Sequence, residues 1–130
     1  MEYRKLLDMA IETTKLAYAP YSKVQVGAAL LGKSGKVYTG VNVENVSFGA
    51  TNCAERTAIF KAVSEGELEF TAIAVASSLD HPITPCGICR QVIAEFGSNI
   101  EIILGDEKDY TVHKVTELLP LGFFKEELLD

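Results

Sequence analysis

Two short segments hold the side chains best suited to chemistry, Cys53-Ala54-Glu55 and Pro85-Cys86-Gly87-Ile88-Cys89. Each opens a stretch of helical periodicity, so each cysteine group stands at a helix N-terminus. Unpaired backbone N–H groups and the positive end of the helix dipole favour the thiolate form there. Cys86 and Cys89, three residues apart, share one helix face. Three thiolates form a soft donor set that suits zinc, with Zn–S distances of about 2.3 Å. These are the only cysteines in the chain, so the fourth position of a tetrahedral ion falls to water or to a histidine, His81 or His113. With water the site is of the catalytic kind, and Glu55, two residues from a ligand, is its natural general base. With histidine it is closed and structural. Cys86-Gly87-Ile88-Cys89 taken alone also fits a redox pair. Three thiolates leave a zinc site negative, and Arg56 and Arg90, adjacent to the motifs, are available to offset that charge.

The elements that must position these residues are legible from periodicity. Residues 2 to 19 carry Tyr3, Leu6, Leu7, Ala10, Ile11, Thr14, Ala17 and Tyr18 on one helical stripe, which Pro20 stops at Ala19. Gln25 to Gly32 and Val37 to Glu44 are extended runs joined by Lys33-Ser34-Gly35-Lys36, a hairpin connection, so they pair antiparallel. Alternation in the second run puts Asn42 and Glu44 on one face. Residues 53 to 65 form a helix closed by Gly66, Phe70 to Ser77 a buried strand, and Cys86 to Phe96 a helix ended by Gly97. Ile100 to Leu104 and Tyr110 to His113 flank the tight turn Asp106 to Asp109, too short to hide a crossover helix, so this pair is also antiparallel. A short helix around Lys114 to Leu119 and a tail after Pro120 complete the chain. The order αββαβαββ predicts a layered α/β sheet in a single domain over residues 1–130.

Several motifs in register then identify a likeness. Ala19-Pro20-Tyr21-Ser22, Val26-Gly27-Ala28-Ala29-Leu30, Asn42-Val43-Glu44-Asn45, Cys53-Ala54-Glu55-Arg56-Thr57-Ala58, Cys89-Arg90-Gln91-Val92 and Leu118-Leu119-Pro120 resemble the small, homotetrameric type of cytidine deaminase from one end of the chain to the other. The resemblance implies a three-layer α/β/α sandwich around a mixed five-stranded sheet. It implies that Cys53, Cys86 and Cys89 bind Zn²⁺, that Glu55 shuttles protons, and that Arg56 bonds to the ligand sulfurs. Asn42 and Glu44 match the family's ribose-binding pair, and Ala54 its backbone contact to the pyrimidine. Phe123 matches an aromatic that the family inserts from a neighbouring subunit to stack on the base, which makes the sites shared. Val24 stands where the family commonly has Phe, narrowing one apolar wall of the pocket. Phe48 stands where Tyr is usual, removing a hydroxyl. The implied reaction is hydrolytic deamination of cytidine and 2′-deoxycytidine. A deaminase of another aminopyrimidine nucleoside, of the blasticidin S type, and a non-enzymatic zinc-stabilised interaction module are the alternatives.

Composition agrees with a small-molecule enzyme. The 130 residues are 48% apolar and 23% charged, the profile of a globular domain. Net charge is −6, and after position 60 five basic residues face thirteen acidic ones. That balance disfavours nucleic acid as a partner and favours a small uncharged ligand such as a nucleoside. Met1-Glu2-Tyr3-Arg4-Lys5 leads into a helix carrying Asp8 and Glu12 rather than an apolar signal segment, and no run is long enough to cross a membrane. An odd cysteine count without secretory context points to reduced thiols and a cytoplasmic location.

Overall fold

Strand β1, Val26–Gly32, is buried along nearly its whole length, as a strand covered on both faces must be. Its neighbours in alternation go to opposite sides. Ala28 and Leu30 join a core with Ala54, Ala58, Ile59, Ile73, Val75, Ile93 and Ile102, while Ala29 and Leu31 join a second core with Leu6, Leu7, Ala10, Ala72, Ala74 and Ile103. The sheet therefore separates two apolar layers, each roofed by helix. Helix α1 (Tyr3–Thr13) covers one face; α2 (Ala54–Ser64) and α3 (Gly87–Glu95) cover the other. This is the three-layer α/β/α arrangement that the resemblance implies. The computed structural model describes residues 1–129.

The sheet has five strands in the order β2-β1-β3-β4-β5, with β2 at Val37–Val41, β3 at Phe70–Ser77, β4 at Glu101–Gly105 and β5 at Tyr110–Lys114. Only β3 and β4 run parallel, joined across α3; the other neighbours are antiparallel. Both predicted hairpins are present. A short helix α4, Val115–Leu118, follows β5 and precedes the tail.

Two predicted elements end earlier than periodicity suggests. Helix α1 stops at Thr13 and continues only as a 3₁₀ turn over Thr14–Leu16, rather than reaching Ala19. Thr14 turns its hydroxyl back on the Ile11 carbonyl at 2.6 Å, competing with the helical ladder. Beyond it, Tyr18 donates to the Asn42 carbonyl at 3.0 Å and accepts from the Glu44 N–H at 2.8 Å, so it is already extended. Strand β2 likewise ends at Val41; Asn42 keeps one backbone bond to β1, its N–H donating to the Val26 carbonyl at 3.3 Å, and Val43 then bridges Tyr18 on one side and Asn52 on the other. Both departures serve the same corner of the molecule, the carboxyl end of β2 beside the start of α2.

The close packing of that corner depends on Gly40. A Cβ at this position would lie 2.5 Å from both the Ala54 carbonyl oxygen and the Ala58 nitrogen, so only glycine lets α2 rest directly on β2.

Candidate functional site

Cys53 is the N-cap of α2 and Cys86 the N-cap of α3, both in extended backbone. Cys89 lies one turn into α3 and is fully buried. The sheet brings the two helix starts together, so that the three Sγ atoms all fall within 4.8 Å of one another, with Cys53 and Cys86 3.9 Å apart. A tetrahedral thiolate site with Zn–S bonds of about 2.3 Å has S···S edges of about 3.8 Å. The spacing and the soft donor set therefore fit zinc. All three thiols are free. Among the described residues no histidine or carboxylate joins the cluster. His81 is exposed and stands 3.0 Å from Asp80, and His113 contacts Thr111 on β5. The closed histidine-bearing site considered from the sequence therefore has no support in the geometry.

The two candidate arginines divide. Arg56 Nη2 donates to Cys53 Sγ at 3.4 Å. Arg90 instead donates from Nε to the Pro85 carbonyl at 2.8 Å and from Nη1 to the Leu118 carbonyl at 2.7 Å. It braces backbone where charge compensation was expected. Cys53 is drawn down to about 5, chiefly by the bond it accepts from the Cys89 thiol and then by the Arg56 guanidinium. The same bond, with burial, holds the Cys89 proton firmly in place and pushes that thiol up. Arg56 is itself raised by its bond to Cys53.

Glu55 is only 4% exposed. Burial pushes its carboxyl up to about 7, and the neighbouring Cys53 thiolate adds to the effect. Arg56, the nearby cation, offsets only part of that burial, so the carboxyl is costly as a purely structural element.

Glu55, Cys53, Cys86 and Ala54 share a cavity of about 260 Å³ with Val24, Val26, Asn42 and Ser22. Asn42 is buried, and its amide spans the strand edge: Oδ1 accepts from Val26 N–H at 2.8 Å and Nδ2 donates to the Val24 carbonyl at 2.9 Å. One amide hydrogen and one lone pair remain for a ligand. Glu44 faces an adjoining cavity lined by Tyr21, Ser22, Phe48 and Thr51, and Ser22 and Thr51 border both spaces. Its Oε1 accepts from the Tyr21 and Ser22 N–H groups at 2.9 and 3.0 Å, and Ser22 donates its hydroxyl to Oε2. Phe48 lies in that second space, 76% exposed, with its ring 6.1 Å from Tyr21. Phe123 lines neither cavity; it projects from the tail, 56% exposed, beside Gln91.

Thr51, Asn52, Ile83 and Thr84 also line the thiol-bearing cavity, and no sequence signal singles them out. They come from irregular segments, where neither period 2 nor period 3.6 reports which side chain faces inward.

Residues 1–104 match the family model for the cytidine and deoxycytidylate deaminase zinc-binding region. The chain belongs to this deaminase family. It is 48% identical over 132 residues to a cytidine deaminase of Halalkalibacterium halodurans, with all of both chains covered. The crystal structure of cytidine deaminase from Burkholderia pseudomallei superposes with a TM-score of 0.90 at 46% identity, covering 95% of this chain and 100% of that one. A blasticidin-S deaminase of Bacillus cereus is a more distant relative, 31% identical over 127 residues and covering 92% of this chain and 90% of its own. The zinc-binding deaminase domain and its three-thiol cluster thus stand on both sequence and geometry. No helix among the described residues is long and apolar enough to cross a membrane.

Proposed function

We propose that this deaminase converts cytidine and 2′-deoxycytidine to uridine and 2′-deoxyuridine, consuming one water and releasing ammonia. The observation that carries the reading is Glu55, buried in the cavity wall next to Cys53 and Cys89. A purely structural zinc module has no use for that carboxyl. Zinc held by Cys53, Cys86 and Cys89 supplies the Lewis acidity that makes water acidic near neutral pH. Glu55 takes a proton from the attacking water and delivers it to ring N3 as the new C4–O bond forms. A second proton transfer through the same carboxyl reaches the exocyclic amine. The C4–N bond then breaks, and ammonia leaves with its electron pair. One positioned proton carrier typically contributes ~10²- to 10⁴-fold.

Asn42 and Glu44 hold the ribose, each anchored by the backbone bonds described above, and Ala54 offers backbone groups to the pyrimidine. Val24, in the cavity wall, is the smaller apolar neighbour of the base. Phe123 is turned to solvent in one chain, which suits an aromatic that completes the site of a neighbouring subunit in a homotetramer. Phe48, also exposed, borders the shared region. The enzyme is one deaminase domain over residues 1–130, and its reduced thiols suit the cytoplasm.

Ammonia release from cytidine by the purified protein tests the proposal. Release should cease with a chelator and return when zinc is restored. A zinc-loaded preparation that leaves cytidine intact while deaminating blasticidin S moves the assignment to that substrate class. One that releases ammonia from neither ends the enzyme reading.

A further inference from the structure

Helix α3 presents its first turn to the thiol cluster, while two consecutive side chains further along reach the C-terminal segment. Arg90 grips the Leu118 carbonyl at 2.7 Å as well as the Pro85 carbonyl, directly before Cys86. Gln91 Nε2 donates to the Phe123 carbonyl, also at 2.7 Å. Between those two held carbonyls lie residues 119–122, where Leu121 takes a left-handed φ of 53° and is fully exposed. The adjacent aromatics then part company. Phe124 packs against the core, and Phe123 stays out in solvent.

We propose that Arg90 and Gln91 are positioning residues that fix the direction in which Phe123 projects. The helix holding one subunit's thiol ligands thereby also sets the base-stacking wall of the next subunit's site. The inference rests on the shared-site reading above. With the Leu118 and Phe123 carbonyls both held, the backbone that carries the Phe123 ring cannot move without breaking a hydrogen bond, which leaves the ring only its own side-chain rotamers. A free tail would have to be ordered each time substrate bound, at a cost in affinity. Arg90 suits the position because its planar guanidinium holds the Nε and Nη1 donors in a fixed fork aimed at the two carbonyls, whereas a lysine offers one point ammonium on a flexible stem.

Steady-state kinetics on the zinc-loaded holoenzyme tests this with Gln91→Leu, which keeps the side chain's bulk and removes the donor, and with Arg90→Lys. Both are expected to raise KM for cytidine about 3- to 10-fold, with kcat within about twofold of the parent, the pattern of weakened substrate binding. Zinc content should not change. Phe123→Ala is the reference, expected to raise KM about tenfold, within the range for losing one base–aromatic stack.

Mixed oligomers separate an effect on the neighbour's site from one on the chain's own. Glu55→Gln chains keep an intact Phe123 but contribute at most about a hundredth of the parent turnover. Assembled with Gln91→Leu chains, they are expected to return the parent KM at the sites they flank, as they should for Phe123→Ala chains. Rescue of Phe123→Ala without rescue of Gln91→Leu, or an unchanged KM in both the Gln91 and Arg90 variants, overturns the positioning role and leaves the shared site standing. An unchanged KM in Phe123→Ala overturns the shared site, and the positioning role falls with it.

Discussion

Val43 and Asn52 exchange two backbone hydrogen bonds, each 2.9 Å long. This single antiparallel bridge ties the residue between Asn42 and Glu44 to the residue before Cys53. The segment proposed to bind ribose and the first thiol of the three-cysteine cluster are thereby joined directly, although they come from different elements. Asn42 extends the connection to Val24 and Val26 through its side-chain amide.

Asn42→Ala is accordingly expected to lose both stability and substrate affinity. The Val26 N–H and the Val24 carbonyl would be left without their partner, at about 1–3 kcal/mol for a buried group. Urea unfolding should show that loss, and KM for cytidine should rise while zinc content stays near the parent level. A variant as stable as the parent would show that the Asn42 amide does not hold this edge.

Glu55→Gln preserves shape and removes the proton carrier. It should retain zinc by elemental analysis and lose at least about 10²-fold in kcat, the low end for a positioned acid–base group. Near-normal turnover would remove Glu55 from the reaction.

Gly40→Ala tests the contact between β2 and the start of α2. The added methyl would meet backbone at 2.5 Å on two sides, and neither can yield without shifting Ala54 and its neighbours. A destabilisation of about 1–3 kcal/mol, typical of overpacking, is expected in denaturant titration. Zinc should be lost to a competing chelator faster than from the parent. Parent-like values in both measurements would mean that the contact relaxes freely.

Acid titration should report the environment of Glu44. The Ser22 hydroxyl, with the Ser22 and Tyr21 N–H groups, holds its carboxyl below the ordinary value of 4.5. Because the folded-state value is depressed, the bonds it makes to the 21–22 loop are fully present above the ordinary value. They are lost as pH falls through the lowered one. Side-chain carboxyl NMR should place the Glu44 midpoint below 4.5, and Ser22→Ala should move it upward. An unmoved midpoint in that variant would assign the shift to some group other than the hydroxyl.

Much of this chain is readable without coordinates, because the relevant physics is local. Thiols at two helix starts, a carboxylate two residues from one of them, and period-2 runs joined by short turns all follow from residue type and spacing. So does the antiparallel pairing of the hairpins. The same period logic overshot where long-range partners compete with local preference. Helix α1 yields at Thr13 because Tyr18 is claimed by Asn42 and Glu44, and β2 yields at Val41 because Val43 is claimed by Asn52. Spacing could not tell Arg56 from Arg90 either. A guanidinium on a long flexible stem goes to whichever acceptors the fold brings near, the Cys53 sulfur for one and the Pro85 and Leu118 carbonyls for the other. The donor set and the chemistry it suits were written in residue order, whereas the walls of the cavity, the brace behind the thiols and the outward turn of Phe123 depend on packing between segments far apart in the chain.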